Sequence, residues 1–166
     1  QRNLNVNVST PVVRNRLTLT FSGRSNWSAD GGTLRAITSQ GLVNSAIVRP
    51  SLNKNYTLRS TIQLTENNVL NFSYSYGTRN RENNGVGGFG LPEQGSNSSG
   101  GNFNFQLKAT SVLSRSFNNE ARFRIGGFNN KVRPINVSPH ITVTDSFRSG
   151  GSTRNNENTT RRRNRC

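Results

Sequence analysis

Residues 56–64 read Tyr-Thr-Leu-Arg-Ser-Thr-Ile-Gln-Leu, and residues 69–76 read Val-Leu-Asn-Phe-Ser-Tyr-Ser-Tyr. In the first stretch Tyr56, Leu58, Ile62 and Leu64 share one parity, while Thr57, Arg59, Thr61 and Gln63 hold the other. In the second, Leu70, Phe72, Tyr74 and Tyr76 alternate with Asn71, Ser73 and Ser75. Successive side chains of a strand point to opposite faces, so this alternation describes two strands, each with one apolar and one polar face. Between them lie only Thr65, Glu66, Asn67 and Asn68, which is hairpin-turn chemistry.

The same period recurs outward from this hairpin. Leu4, Val6 and Val8 alternate with asparagines, and Leu17, Leu19 and Phe21 alternate with Thr18 and Thr20. Phe103, Phe105, Leu107 and Ala109 follow the pattern, as do Ala121, Phe123 and Ile125, and later Ile141 and Val143. A weaker stretch covers 33–38. No segment carries a 3.6-residue apolar stripe. The expected fold is all-β, an antiparallel set of about 7–8 strands in hairpins.

Composition narrows the function. Of 166 residues, 22 are Lys or Arg and 7 are Asp or Glu, a formal charge of +15, and only 30% are hydrophobic. Asn (26), Ser (20), Thr (15) and Gly (16) make up nearly half the chain. These residues disfavour helices and leave little material for an aliphatic core. One His, one Cys and scattered carboxylates are poor stock for a catalytic constellation or a metal site. His140 has no second His near it, and Glu93 and Glu120 lack an acidic partner in sequence. Glycines at 85–90 lack the Lys-Ser/Thr of a phosphate loop and no helix pattern follows. An enzyme is therefore not expected, and neither a cofactor nor a metal. The positive charge raises nucleic acid as a partner. The arginines are spread over polar strand faces and loops, though, and the aromatics share the apolar parity, so nucleic acid is not expected.

The connections add a second signal. Those at 10–15, 65–68 and 114–119 are short, whereas 23–32, 40–55 and above all 78–101 are long and rich in Gly, Asn and Arg. Short turns at one end of the strands and long loops at the other describe a transmembrane β-barrel. Nine residues, 56–64, also match the ~9–11 that a tilted strand needs to cross a bilayer. The chain reads as a single β unit over 1–166, with a long loop at 78–101. A basic loop or tail covers 148–166, including Arg161-Arg162-Arg163-Asn164-Arg165 and the single Cys166.

Ser9-Thr10-Pro11-Val12-Val13-Arg14-Asn15-Arg16, followed by Leu-Thr-Leu-Thr-Phe, resembles a turn of TonB-dependent outer-membrane receptors. The subgroup is the large, Asn/Arg-rich one with a carboxypeptidase-regulatory-like N-terminal domain. The stretch 83–93 (Asn-Asn-Gly-Val-Gly-Gly-Phe-Gly-Leu-Pro-Glu) is similar to the loop after an early hairpin of these barrels, and 110–124 to their next hairpin. Pro134-Ile135-Asn136-Val137 and Phe147-Arg148-Ser149-Gly150-Gly151 continue the order, so the resemblance spans about residues 3–165. Such receptors are several times longer, close a barrel of ~22 strands, and carry a plug, a TonB-contacting box and a terminal aromatic strand. The resemblance therefore implies an internal barrel segment, in the bacterial outer membrane, of a receptor for nutrient uptake.

That reading places Leu17, Leu19, Phe21, Leu58, Ile62, Leu64, Phe72, Tyr74, Phe103, Phe105, Phe123 and Ile125 toward lipid. Arg79, Arg81, Asn83, Asn84, Phe89 and Gln94 become loop residues facing a ligand. Its partners would be outer-membrane lipid and the remainder of a longer barrel. The alternative is a secreted or cell-surface structural subunit, an adhesin or filament protomer, built as a β-sandwich. There the apolar residues face a core, and Leu4, Val6 and Val8 add as a strand to another copy of the chain.

Overall fold

The computed structural model of the chain describes residues 1–114 and 116–152, together with the backbone of 156–165. Cys166 lies outside the described residues, as do the side chains of 161–165. The chain is all-β and antiparallel. Its strands are β1 (Arg2–Val13), β2 (Leu17–Thr38), β3 (Gly41–Thr65), β4 (Asn68–Asn84), β5 (Ser96–Ser114), β6 (Phe117–Pro134), β7 (Ile141–Val143), β8 (Phe147–Ser149) and β9 (Asn156–Arg165). Seven form one sheet in the order β1-β2-β3-β4-β5-β6-β9, and β7 pairs with β8 in a separate small hairpin. The large sheet is a meander, each strand from β1 to β6 lying beside the next.

The β1–β2 turn is Arg14–Asn15–Arg16, and Asn15 takes a φ of 59°, which its short polar side chain tolerates. The β3–β4 turn is Glu66–Asn67. Both lie where the alternation stops, at one end of the sheet. At the opposite end the structure differs from the sequence expectation. The expected loops at 23–32 and 40–55 are strand, and 33–38 is the far end of β2. Together they form one long hairpin paired from Leu17↔Ile62 to Thr38↔Gly41. Likewise 78–101 is mostly strand, with the connection reduced to 85–95, and 156–165 pairs with β6 instead of forming a loop. In these segments Asn, Ser, Thr and Gly are interspersed with apolar residues on both faces, so backbone pairing proceeds without a clean apolar alternation to announce it.

No second layer covers the large sheet among the described residues, so a sandwich is not formed within the chain. The physical reason is supply. The other sheet among the described residues has three-residue strands and cannot cover a surface seven strands wide.

Burial is concentrated at the end distant from the short turns. After β4 the chain folds back across the polar face and reaches the outer edge of β2, beyond the point where β1 stops at Arg2↔Trp27. There the Arg35 amide donates to the Gly88 carbonyl (2.8 Å) and the Gly88 amide to the Thr33 carbonyl (2.9 Å). The Ile37 amide donates to Ser146 O at 3.1 Å. Gly88 makes this approach at a φ of 59°, a left-handed conformation that costs glycine little. The crossing buries Leu34, Ala36 and Val86, each 3% exposed or less. The hairpin β7–β8 docks on the same loop, Leu91 N to Arg148 O at 2.9 Å and Arg148 N to Phe89 O at 2.8 Å.

Candidate functional site

The register sorts the side chains of the sheet into two surfaces. Residues directly opposite in an antiparallel pair share a face, so one row runs Val8, Phe21, Leu58, Tyr74, Phe105, Ile125. Parallel rows carry Leu17, Ile62, Leu70 and Ala109, then Leu19, Phe72, Leu107 and Phe123. Phe72 meets Phe105 edge-on at 5.4 Å, and Phe105 meets Phe123 at 6.1 Å. The next row, Tyr56, Tyr76 and Phe103, bounds this band on the side away from the short turns. The twelve residues expected to face lipid or a core thus share one band, with Leu64 in the irregular pairing at its end. None is buried. Phe21, Tyr74 and Phe123 remain 39–41% exposed, because no second layer covers the band among the described residues.

The opposite surface is an amide, hydroxyl and guanidinium lattice. Arg24 Nε donates to Asn5 Oδ1 (2.9 Å), Ser22 Oγ to Asn7 Oδ1 (3.1 Å) and Thr61 Oγ1 to Asn71 Oδ1 (3.0 Å). Arg79 Nε donates to Asn53 Oδ1 (2.8 Å) and Arg124 Nε to Asn104 Oδ1 (2.7 Å). These acceptors are neutral, so each arginine is oriented without losing its charge. Glu120 supplies a counter-charge near the short turns, 2.8 Å from Lys108 and 2.6 Å from Arg122. A hollow of about 440 Å³ opens on this face beside Asn5, Asn7, Arg24, Asn55 and Thr57. Toward the folded-back segment, Asn26 Oδ1 and Arg49 Nε are shielded from solvent without a hydrogen-bond partner. The surface can hold hydroxyl-rich or anionic solutes by hydrogen bonds.

Compared with protein-family models, curated proteins and solved structures, the chain matches none of them.

The six residues expected on one ligand-facing loop are divided among different places. Arg79 and Arg81 lie on β4 within the polar face, opposite Asn53 and Ser51. Asn83 and Asn84 close the end of β4. The Asn83 amide donates to Asn97 Oδ1 (3.0 Å) and its Nδ2 to Val48 O (2.9 Å), while Asn84 Nδ2 donates to Ser96 O (3.0 Å). Phe89 and Gln94 belong to the folded-back loop, Gln94 within a single 3-10 turn. Gln94 Nε2 lies 3.1 Å from His140 Nδ1, and Ser149 Oγ donates to Glu93 Oε2 at 2.8 Å. These contacts latch the β7–β8 segment to that turn. Sequence reading missed Leu34, Ala36 and Val86 as the buried cluster. The available signal was an inversion of parity within β2, apolar at odd positions through Phe21 and at even positions by Leu34 and Ala36. Leu4, Val6 and Val8 lie on β1, whose inner edge pairs with β2 while its outer edge is open among the described residues.

Proposed function

We propose that this chain is a segment of an outer-membrane β-barrel receptor of the TonB-dependent type, acting in nutrient uptake by binding and passage without catalysis. The observation that carries the reading is the single-layered sheet with an uncovered apolar band on one face and a hydrogen-bonded Asn/Arg lattice on the other. A sheet so divided needs lipid, or an apolar partner, against the band, and water against the lattice. The connection 85–95 folds over the polar surface, the side that would line a lumen. The stretch resembling the receptor turn, 9–16, leads through the short β1–β2 turn, at the end where barrels have short turns. The hydrogen-bonded arginines of the lattice lie on the face opposite the aromatic band, with Arg2 beside Trp27 on the band side; this separation disfavours nucleic acid, since stacking and phosphate contacts would need one surface.

Trp27 is the single tryptophan, lies on the parity of the band beyond the Tyr56–Tyr76 row, and carries Arg2 5.9 Å from its ring. The chain is expected to pellet with lipid vesicles and dissolve only in detergent. Brominated phospholipid is expected to quench Trp27. Material that stays in solution, with Trp27 unquenched, would sink the barrel reading.

The open outer edge of β1 specifically favours the second reading, a structural subunit whose copies join by strand addition. Regular fibres formed without lipid, and abolished by deleting residues 2–9, are its expected signature. Assembly that survives the deletion rules strand addition out.

A further inference from the structure

We infer that a groove over β5, just beyond the Tyr56, Tyr76 and Phe103 row, binds the ring of a neutral saccharide. The groove lies on the face opposite the Asn/Arg lattice. It is therefore separate from any passage along the polar face, and it needs no lipid to form.

Past the aromatic row, β5 narrows on this face. Phe103 gives way to Gly101 and then Ser99, while β4 contributes Thr78 and Asn80 and β6 contributes Asn129 and Lys131. The walls belong to strands two spacings apart, roughly 9.5 Å, and the floor is the backbone of Gly100 and Gly101. The hollow so formed measures about 310 Å³ and is lined by Tyr76, Thr78, Asn80, Ser99 and Asn129, at the lower end of the range of small-ligand sites. A Cβ on Gly101 would stand 3.0 Å from Asn129 Oδ1, so the Asn129 amide already leans over the floor.

The chemistry of the lining selects the ligand. The side chains of Thr78, Asn80, Ser99 and Asn129 form no hydrogen bond with the described residues. On the lattice face, by contrast, Asn5, Asn7, Asn53 and Asn104 are taken up by arginine or serine. Amides and hydroxyls both donate and accept, as sugar hydroxyls do. Thr78 and Asn80 stand ~7 Å apart along the strand, so hydroxyls at both ends of one ring are met. Lys131, the lining cation, is already engaged, which leaves no uncommitted charge to demand an anion. Tyr76, 42% exposed, closes the inner end and offers an aromatic surface for the C–H face of a pyranose. The hollow on the lattice face has no aromatic, and there Arg24 already bonds Asn5 and Ser22 bonds Asn7.

The test uses the whole chain, dispersed in a detergent without a sugar headgroup, and saturation-transfer NMR with maltose, cellobiose, lactose and chitobiose. At least one is expected to receive saturation on the C–H protons of one ring face. Tyr76→Ala should weaken that sugar on the order of tenfold. Gly101→Val, which fills the floor, should remove it with far-UV circular dichroism unchanged. Asn129→Ala changes an exposed side chain, should weaken binding severalfold, and reads the same site where the bulkier change unfolds the chain. Asn55→Ala with Thr57→Ala, in the hollow of the opposite face, should leave binding intact. Equal losses in both hollows, or binding untouched by Tyr76→Ala and Asn129→Ala, would overturn the groove. Tighter binding of a glucuronate-bearing disaccharide than of its neutral counterpart would overturn the neutral assignment. Phosphatidylcholine vesicles doped with glucosyl diacylglycerol separate the two sources of such a ring. Binding of a free disaccharide assigns the groove to a soluble saccharide. A preference for the doped vesicles alone, lost in Asn129→Ala, assigns it to a glycolipid headgroup, and the absence of both overturns it. None of these outcomes depends on whether the chain pellets with lipid.

Discussion

Leu34→Ala is expected to open the folded-back cap while leaving the long sheet paired. Leu34 is the largest buried apolar side chain among the described residues, at 2% exposure, and truncating such a residue costs about 2–5 kcal/mol. The cost falls locally because the cap is a small cluster. Leu34, Ala36 and Val86 are its buried apolar members, and the bonds from Arg35 and Ile37 to Gly88 and Ser146 tie it to the edge of β2. Hydrogen exchange is the natural measurement. Protection of the Arg35, Gly88 and Arg148 amides should fall by orders of magnitude, while that of Leu19, Leu58 and Phe72 in the banded sheet should hold. Uniform loss of protection would mean that the cap and the sheet form one cooperative unit, and that the cap supports the fold of the whole chain.

Phe105→Arg is the second large effect. Phe105 stands mid-band, between Tyr74 and Ile125 in its row, with edge-on contacts to Phe72 and Phe123. An arginine at such a position in a lipid-facing strand costs about 2–4 kcal/mol, and losing the ring contacts adds roughly 0.5–1.5 kcal/mol each. Ser75→Arg is the matched control, one row along on the other face, between Thr57 and Asn104. Its effect should stay within about 0.5 kcal/mol. Urea titration of the chain in lipid vesicles reads both. Comparable losses at Phe105 and Ser75 would show that the two faces do not meet different solvents. If Phe105→Arg disperses an assembly formed without lipid, the band is the contact between copies instead.

The cap and the charged lattice were legible to very different degrees. Arg79 and Arg81 looked like loop residues because nothing apolar alternates near them. In the structure they continue β4, since the backbone of β3 on one side and β5 on the other offers a ladder that asks only for extended conformation. Asn83 and Asn84 looked available to a ligand, yet their amides are used in ending that ladder. Short side chains with both donors and acceptors serve either role, and composition does not distinguish them.

From the sequence alone came the all-β class, the membership of the apolar band and the short turns at one end. Each follows from contrast. Where one face of a strand meets something apolar and the other meets water, the side chains have to alternate, and Tyr56 to Leu64 shows it residue by residue. Only the tertiary structure decided that β2 and β3 pair far past the band, that the expected loops are strands, and that Leu34, Ala36 and Val86 are buried where the chain folds back. Beyond the band apolar and polar residues are mixed on both faces, Trp27, Ile47 and Val48 among them, so the pairing leaves no simple alternation in the side chains. The bridge between Leu34 and Gly88 joins positions more than fifty residues apart, which local periodicity does not encode.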